Sequence, residues 1–294
     1  MARRYDSGWR DPSSTQWHKD HGFEAPAAGM TLPMIEYDHG VPVGLVSYHR
    51  RDVDLPVSPD VGDAHRAFGR LCGRDGLLPF LTAVYDPNGW AFKVLGHNES
   101  GAALTAPYGS GWVEVTETEF AQMLYRMRGR RLPDLVPHGV RWGVGMWQAD
   151  ARPMHKLPWP GSDMSCRRRS YEPVIPVAMK HRIPCVDIDF AVISRDPAVA
   201  LVVDYKAGMA RVNPDSTNMR ALSSLAHGEQ AVPAMVAKYF PGQGGWSFKV
   251  MCLNTQAHGL LKYVVPEAGR VTASEQVILN ETRWLDVLRA ARDL

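Results

Sequence analysis

This sequence has few cysteines, no apolar run long enough to span a membrane, and no large excess of charge of one sign. Only 4 of the 294 residues are cysteine, and no two of them form a C-x-x-C pair. This is too few for a disulfide scaffold and the wrong spacing for a structural zinc site. No uncharged apolar run approaches the roughly 18 residues that span a bilayer. No apolar segment follows the arginines near residue 3, as a secretory signal requires. We therefore expect a soluble cytoplasmic protein without a membrane partner.

The charge balance and the missing motifs exclude further classes of function. Lys and Arg number 33 against 31 Asp and Glu, which gives a net charge of +2 and argues against binding nucleic acid by bulk charge alone. The chain has no phosphate-binding P-loop, no G-x-G-x-x-G, no G-x-S-x-G and no H-x-x-x-H. Nucleotide hydrolysis, dinucleotide binding, α/β-hydrolase chemistry and a helical zinc site therefore have no support.

The sequence contains an internal repeat of long period. WAFKVLGHN at Trp90–Asn98 matches WSFKVMCLN at Trp246–Asn254, 156 residues later. Four more matches lie upstream, in the same order in both copies and with offsets of 154 to 157. They are PVGLVSYH and VALVVDYK, VSPD and VNPD, RAF and RAL, and the Pro and Tyr at residues 79 and 85 and at 233 and 239. This period is far longer than that of a solenoid. We predict two tandem domains, residues 1–131 and 171–294, joined by an ordered connector at 132–170.

Each copy has the pattern of an α/β unit with a mixed central sheet flanked by helices. Turn residues separate two apolar runs at the start of each copy, as in a β-hairpin, and the first copy has Asp38-His39-Gly40 at this turn. Periodicity then predicts, in the second copy, strands at Phe190–Ser194 and Ala198–Asp204, a helix from Ser216 to Leu225, strands at Val232–Tyr239 and Trp246–Leu253, and a closing helix at Thr272–Arg292 that corresponds to Thr116–Arg128.

Polar residues cluster at the ends of the second hairpin. Asp187 and Asp189 begin its first strand, and Asp204 and Lys206 end the second. Because strand residues i and i+2 share a face, Asp204 and Lys206 point the same way, and Val186, Ile188 and Phe190 are expected to face away from the two acids. At least one acid then approaches Asp204. Two carboxylates on adjacent strands are suitable ligands for Mg²⁺, and a nearby lysine stabilises charge on a phosphate.

This arrangement resembles the PD-(D/E)XK nuclease superfamily, which places an acid on one hairpin strand, (D/E)-x-K on the next, and then a helix. Here the triplet is Asp204-Tyr205-Lys206. The acid is Asp189 or Asp187, and Asp189 is preferred because fifteen residues leave room for two strand arms and a turn. The resemblance implies restriction-endonuclease-like domains, a Mg²⁺ or Mn²⁺ cofactor held by Asp189, Asp204 and Asp187, and catalysis by Asp189, Asp204 and Lys206.

The first copy lacks these residues. Ser47, Tyr48 and His49 stand where the second copy has Asp204, Tyr205 and Lys206, and no aspartate matches Asp187 or Asp189. A site without both carboxylates does not hold a hard cation in the same way. We expect a degenerate copy that keeps the fold, with Glu36 and His49 as less favoured replacement ligands.

Basic and aromatic residues suggest where nucleic acid would bind. Arginine is suited to bidentate phosphate contacts, although charge runs are often only solvated faces. The candidate phosphate contacts are Arg167, Arg168, Arg169, Lys180, Arg182 and Arg220, with a further basic cluster at Arg126, Arg128, Arg130 and Arg131. Trp90 and Trp246 are candidates for stacking on bases, but their place in the repeat favours core packing.

The sequence therefore predicts a metal-dependent nuclease that hydrolyses phosphodiester bonds, in DNA by preference, with its active site in the second copy. The alternative is a catalytically inactive nuclease-fold module that binds nucleic acid or a protein partner. Another phosphate ester is a third candidate substrate. Two copies in one chain predict either a monomer with an internal pseudo-dimer or a homodimer.

Overall fold

The computed structural model describes residues 33–50, 63–74, 78–86, 91–129, 185–186, 188–194, 198–208, 211–225, 231–240, 242, 245–267 and 276–293. In the first half these residues form β1 (Met34–Asp38), β2 (Val41–Arg50), α1 (Asp63–Arg74), β3 (Phe80–Asp86), β4 (Ala91–Gly96), α2 (Glu99–Thr105), β5 (Val113–Thr116) and α3 (Glu117–Met127). None of the described helices has the length and apolar character needed to cross a membrane. The expected domain boundaries and the connector at 132–170 lie outside the described residues.

The second half repeats this order of elements after one short additional strand. It consists of β6 (Cys185–Val186), β7 (Phe190–Ile193), β8 (Val199–Ala207), α4 (Thr217–Ser223), β9 (Ala234–Phe240), β10 (Ser247–Cys252), α5 (Thr255–Val264), β11 (Val277–Asn280) and α6 (Glu281–Arg292). Two helices, α2 and α5, were not expected from the sequence. The predicted closing helix from residue 272 was too long, because Val277–Asn280 forms an edge strand and the Asn280 side chain accepts a hydrogen bond from the Arg283 N–H at 2.9 Å, which begins the helix at Glu281.

The described strands form two mixed sheets of the same topology. Sheet A has the order β5-β4-β3-β2-β1-β6 and sheet B the order β11-β10-β9-β8-β7. In each sheet an antiparallel hairpin is followed by a helix, a parallel strand, and two further antiparallel strands. The hairpin turn in sheet A is tight, with positive φ at His39 (52°) and Gly40 (87°), the conformation for which glycine is favoured. The expected α/β class with two similar halves is confirmed.

The asparagine that ends each repeated string makes equivalent hydrogen bonds in the two halves. Asn98 Oδ1 accepts hydrogen bonds from the N–H groups of Gly101 (2.9 Å) and Phe80 (3.1 Å), and its amide donates to Leu78 O (2.8 Å). Asn254 makes the equivalent bonds to the N–H groups of Ala257 and Ala234 and to Val232 O, at 3.0, 3.2 and 2.7 Å. Each asparagine therefore caps a helix and fastens the start of the neighbouring strand.

The two halves share a hydrophobic layer. Each sheet has an outer core of its own: α3 covers sheet A through Phe120 and Leu124, and α5 and α6 cover sheet B through residues such as Trp284. Between the sheets lies an inner core, to which both halves contribute in comparable numbers, among them Leu45, Phe68, Phe80, Val202, Leu222 and Ala234. Helix α1 contacts β7 and β8 of the other half, and α4 contacts β1 and β2. The halves are therefore interlocked.

The chain crosses from one sheet to the other just before β7. Residues Ile35 and Glu36 of β1 pair with Val186 and Cys185 of β6 in sheet A, whereas β7 belongs to sheet B. Ile188 is buried in the inner core, but Phe190 packs against the outer core of sheet B. The expectation that Val186, Ile188 and Phe190 share one face was wrong, because these residues do not belong to one continuous strand.

Candidate functional site

The Asp204-Tyr205-Lys206 triplet lies on β8, and Tyr205 anchors it. Tyr205 points into the outer core, where its hydroxyl accepts a hydrogen bond from Trp284 Nε1 at 3.1 Å. Burial raises the pKa of this phenol, so it stays a neutral packing group. Because successive side chains on a strand alternate, Asp204 and Lys206 both lie on the inner face of sheet B. The sequence predicted this shared face.

Asp204 is a buried carboxylate with one unsatisfied oxygen. Its residue is 1% exposed, and its Oδ1 accepts a hydrogen bond from Lys206 Nζ. Its Oδ2 has no hydrogen-bond partner among the described residues. The Lys206 side chain is 35% exposed and that of Asp204 is 2% exposed, so the lysine is accessible to solvent and its partner is buried. Buried polar atoms are nearly always paired, so an orphan carboxylate oxygen marks a position that a ligand can occupy.

Asp189 lies at the crossover, next to β8. Phe190 pairs with Val203, which brings the preceding residue, Asp189, beside Asp204. Asp189 Oδ2 accepts a hydrogen bond from the Tyr205 N–H at 2.8 Å, and Asp189 also contributes, after burial, to the raised pKa of Tyr205. One oxygen of Asp189 therefore fixes the end of the hairpin. Asp187 lies outside the described residues, and the part of the chain that is described contains no group of three or more His, Cys, Asp or Glu able to hold a metal.

The first half has no carboxylate at the matching positions of its sheet. Strand pairing puts Ser47 at the place of Asp204, and Pro33 at the place of Asp189. Ser47 is fully buried, and its hydroxyl has no hydrogen-bond partner among the described residues. Both halves therefore place an orphan polar atom at the same point of the inner face.

Glu36, a candidate replacement ligand, is already paired. Arg128 Nη2 donates to Glu36 Oε2 at 2.7 Å, and the side chains are 2% and 1% exposed. Arg128 also donates to Leu124 O through Nη1. Glu36 is therefore a structural residue, and Arg128 is not an exposed phosphate contact, contrary to the sequence interpretation. The side chain of His49 lies outside the described residues.

Of the six residues first predicted to contact phosphates, Arg220 is the one that falls within the described residues. It is exposed on α4 and lies against the β1–β2 turn, since a Cβ added to Gly40 would lie 3.1 Å from Arg220 Cβ. Arg167, Arg168, Arg169, Lys180 and Arg182 lie outside the described residues. Trp246 packs against the outer core between Tyr239 and Phe248, as its place in the repeat predicted, whereas Trp90 lies outside the described residues.

Two polar features were missed from the sequence. Lys238 and Lys249 lie in register with Lys206 across neighbouring strands. In the first half, Thr82 Oγ1 lies 2.6 Å from His97 Nε2, and burial lowers the pKa of His97 to about 4. Each feature joins residues that are distant along the chain. For the lysines, the alignment of the two copies was the signal in the sequence. It matches Lys249 with Lys93 and Lys238 with Val84, so Lys238 is a cation that the second copy alone has at this position.

No protein-family model, curated protein or solved structure matches the chain.

Proposed function

We propose that the protein is a metal-dependent nuclease of the PD-(D/E)XK type, with two restriction-endonuclease-like halves and one active site in the second half. The observation that carries the proposal is the buried Asp204 carboxylate, whose Oδ2 has no partner among the described residues while Lys206 holds Oδ1. The order of β7, β8, α4 and β9 also supports it. An acid precedes the first hairpin strand, D-x-K lies on the second, and a helix leads to a parallel strand.

The donor atoms at this site suit Mg²⁺ or Mn²⁺. Asp204 Oδ2 on β8 and the Asp189 carboxylate just before β7 are hard oxygen donors, and Mg²⁺ is usually held by one or two carboxylates together with waters and substrate phosphate oxygens. When bound, such an ion polarises a phosphodiester and lowers the pKa of a coordinated water. The described residues supply the two carboxylates that this mode needs, and Asp187 remains a candidate third ligand.

Each residue has a distinct role in the proposed site. Asp204 and Asp189 would hold the metal. Tyr205 positions both residues, since it follows Asp204 on β8, its ring is buried, and its N–H donates to Asp189. Lys206 is accessible to solvent, where its ammonium group stabilises charge that develops on the phosphate and holds the attacking water. In this arrangement the buried partner, Asp204, holds the metal, and the partly exposed partner, Lys206, faces the DNA.

The first half supports the second rather than cutting. Its helix α1 and its strands supply about half of the inner core, which lies on the same face of sheet B as the candidate site. One active site in each chain predicts that a single molecule cuts one strand of a duplex. A cut of both strands requires two encounters or a homodimer.

The test is a cleavage assay with Mg²⁺ or Mn²⁺ on supercoiled plasmid, linear duplex, single-stranded DNA, branched DNA and RNA. Wild type is compared with Asp204→Asn and Lys206→Ala, and Ser47→Ala is the matched control at the equivalent position of the first half. We expect metal-dependent cleavage of DNA that both site variants reduce by at least about 100-fold, the usual size of a lost electrostatic or acid–base contribution. Cleavage that persists in Asp204→Asn, or that requires no divalent metal, would contradict the proposal.

A second candidate is a catalytically inactive module that binds nucleic acid or a protein partner. It is favoured by the burial of Asp204, which at 1% exposure is almost sealed from solvent, so that the Asp204–Lys206 pair would serve only the fold. In that case none of the substrates is cut by wild type, and DNA binding is the same in wild type and Asp204→Asn.

A further inference from the structure

Three lysines form a row across the inner face of sheet B. Lys206 on β8 is the register partner of Lys238 on β9, and Lys238 is the register partner of Lys249 on β10. The preceding residues of β8 and β9, Tyr205 and Ala237, point into the outer core, so the lysines lie on the opposite face, the one that carries Asp204. The row therefore begins at the candidate active site and leads away from it.

The row is electrostatically unfavourable in the protein by itself. Like charges at directly opposed positions of neighbouring strands destabilise a sheet. Lys206 is bonded to Asp204, but neither Lys238 nor Lys249 forms an ion pair within 4 Å in the part of the chain that the structure describes. Both lysines are partly exposed. An arrangement that holds three cations beside one compensating acid is suited to an anionic partner.

The first half lacks this row although it has the same sheet. The corresponding register positions hold His49, Val84 and Lys93, and Lys93 is paired in register with Glu114 on the next strand. Lys93 Nζ also lies 5.8 Å from the centre of the Trp112 ring. The three-lysine row is therefore confined to the half that carries Asp204.

We propose that Lys206, Lys238 and Lys249 bind consecutive phosphates of the DNA strand that enters the active site. Neighbouring strands lie about 4.8 Å apart, so the row spans about 10 Å. At about 3.4 Å per phosphate along the helix axis, three consecutive phosphates of one DNA strand span about 7 Å, and the flexible four-carbon lysine side chains cover the difference of about 3 Å. This inference rests on the proposed nuclease function and assigns Lys238 and Lys249 a role in holding the substrate, with no part in bond cleavage.

The test measures the salt dependence of DNA binding by the full chain. Fluorescence anisotropy with a labelled 30-base-pair duplex, in EDTA to prevent cleavage, compares wild type with Lys238→Gln/Lys249→Gln over a range of NaCl concentrations. Each neutralised phosphate contributes about 0.9 to the slope of log Kd against log [NaCl], so the double variant is expected to lower the slope by about 1.8. If the two proteins bind equally at 1 M NaCl, the Kd of the double variant at 0.1 M NaCl is then about 60-fold higher than that of wild type.

Two controls separate a phosphate contact from a change in fold or in total charge. Lys238→Arg/Lys249→Arg retains the charges and is expected to keep the wild-type slope. Lys93→Gln removes the cation that corresponds to Lys249 in the first half and is expected to leave the slope unchanged. An unchanged slope in Lys238→Gln/Lys249→Gln, an equal decrease in Lys93→Gln, or no binding of the duplex by wild type would overturn the proposal.

The experiments distinguish failure of the phosphate-binding proposal from failure of the proposed nuclease function. If the slope falls as expected but wild type cuts no substrate with Mg²⁺ or Mn²⁺, the lysine row binds DNA and the proposed catalytic function is wrong. If Asp204→Asn abolishes cleavage while the double lysine variant binds and cuts like wild type, the nuclease is supported and the phosphate row is refuted.

Discussion

The Asp204–Lys206 pair is asymmetric, and its two halves should respond differently to mutation. The aspartate side chain is 2% exposed and the lysine side chain 35%. Lys206→Met keeps the aliphatic stem and removes the ammonium, which leaves a buried carboxylate without a compensating charge. Breaking a buried pair in this way costs about 3–5 kcal/mol. Because solvent screens the exposed lysine, we expect a smaller decrease in the free energy of unfolding, of about 2 kcal/mol.

Substitution of the other partner, Asp204, should lower the free energy of unfolding only slightly. Asp204→Asn removes the buried charge but keeps an oxygen that accepts from Lys206, and the lysine ammonium remains hydrated. We expect a decrease of about 0.5 kcal/mol, the range of a solvent-exposed pair. The double variant should resemble Asp204→Asn, since no buried charge is left behind. The resulting coupling energy of about 2 kcal/mol is within the range measured for residues in direct contact.

The assay is urea unfolding in EDTA, followed by tryptophan fluorescence, with each variant repeated in excess Mg²⁺. A metal that binds only the folded protein stabilises it by RT ln(1 + [L]/Kd), about 1.4 kcal/mol at ten times Kd. Lys206→Met should retain this gain, and Asp204→Asn should lose most of it. Equal losses from the two single substitutions in EDTA would refute the argument from burial. An equal gain from Mg²⁺ in wild type and Asp204→Asn would refute Asp204 as a ligand.

Three further predictions concern the frame around the site. Asn98→Ala and Asn254→Ala should each lower the free energy of unfolding by about 2–3 kcal/mol in urea, because each removes a helix cap and leaves buried backbone groups unpaired; a loss in one half alone would contradict the matched networks. Burial lowers the pKa of His97 to about 4, so the unfolded chain binds the proton more tightly than the folded protein does. The free energy of unfolding should therefore decrease by up to about 3 kcal/mol as the pH falls from 6.5 to 4. Thermal melts at several pH values should show this decrease in wild type and not in His97→Gln. Burial raises the pKa of the Cys72 and Cys252 thiols to about 12, so a disulfide reagent should modify them only after the protein unfolds. Mass spectrometry of peptides from labelled native protein would detect modification of either thiol before unfolding, which would contradict this prediction.

The sequence predicted the features that depend on local patterns. Alternation along β8 placed Asp204 and Lys206 on one face, and turn residues located the first hairpin at Asp38-His39-Gly40. The repeat predicted two halves of one topology, and the asparagines that end the repeated strings, Asn98 and Asn254, have equivalent hydrogen-bond partners. Ser216 also acts as the N-cap of α4, as its position before the apolar spacing indicated.

What the sequence could not predict depends on contacts between distant segments. The crossover before β7 changes the faces of Ile188 and Phe190, and no local pattern records a strand that moves from one sheet to another. The lysine row requires the register of β8, β9 and β10, which strand pairing sets. The strand before α6 was missed because its three apolar residues also fit the helical periodicity that continues through Trp284. The pairing of Glu36 with Arg128 joins residues 92 positions apart.

The interlocked inner layer has a consequence for dilution. Two separate chains that exchange helices across a shared apolar layer would dissociate when their concentration fell below the dissociation constant. Here β1 and β2 receive α4, and β7 and β8 receive α1, from the same polypeptide. Each half therefore meets the other at an effective concentration set by the connecting chain and not by the amount of protein in the cell. The half without carboxylates at the matching positions is therefore needed for the fold, because residues 171–294 alone would expose the apolar side of sheet B to water.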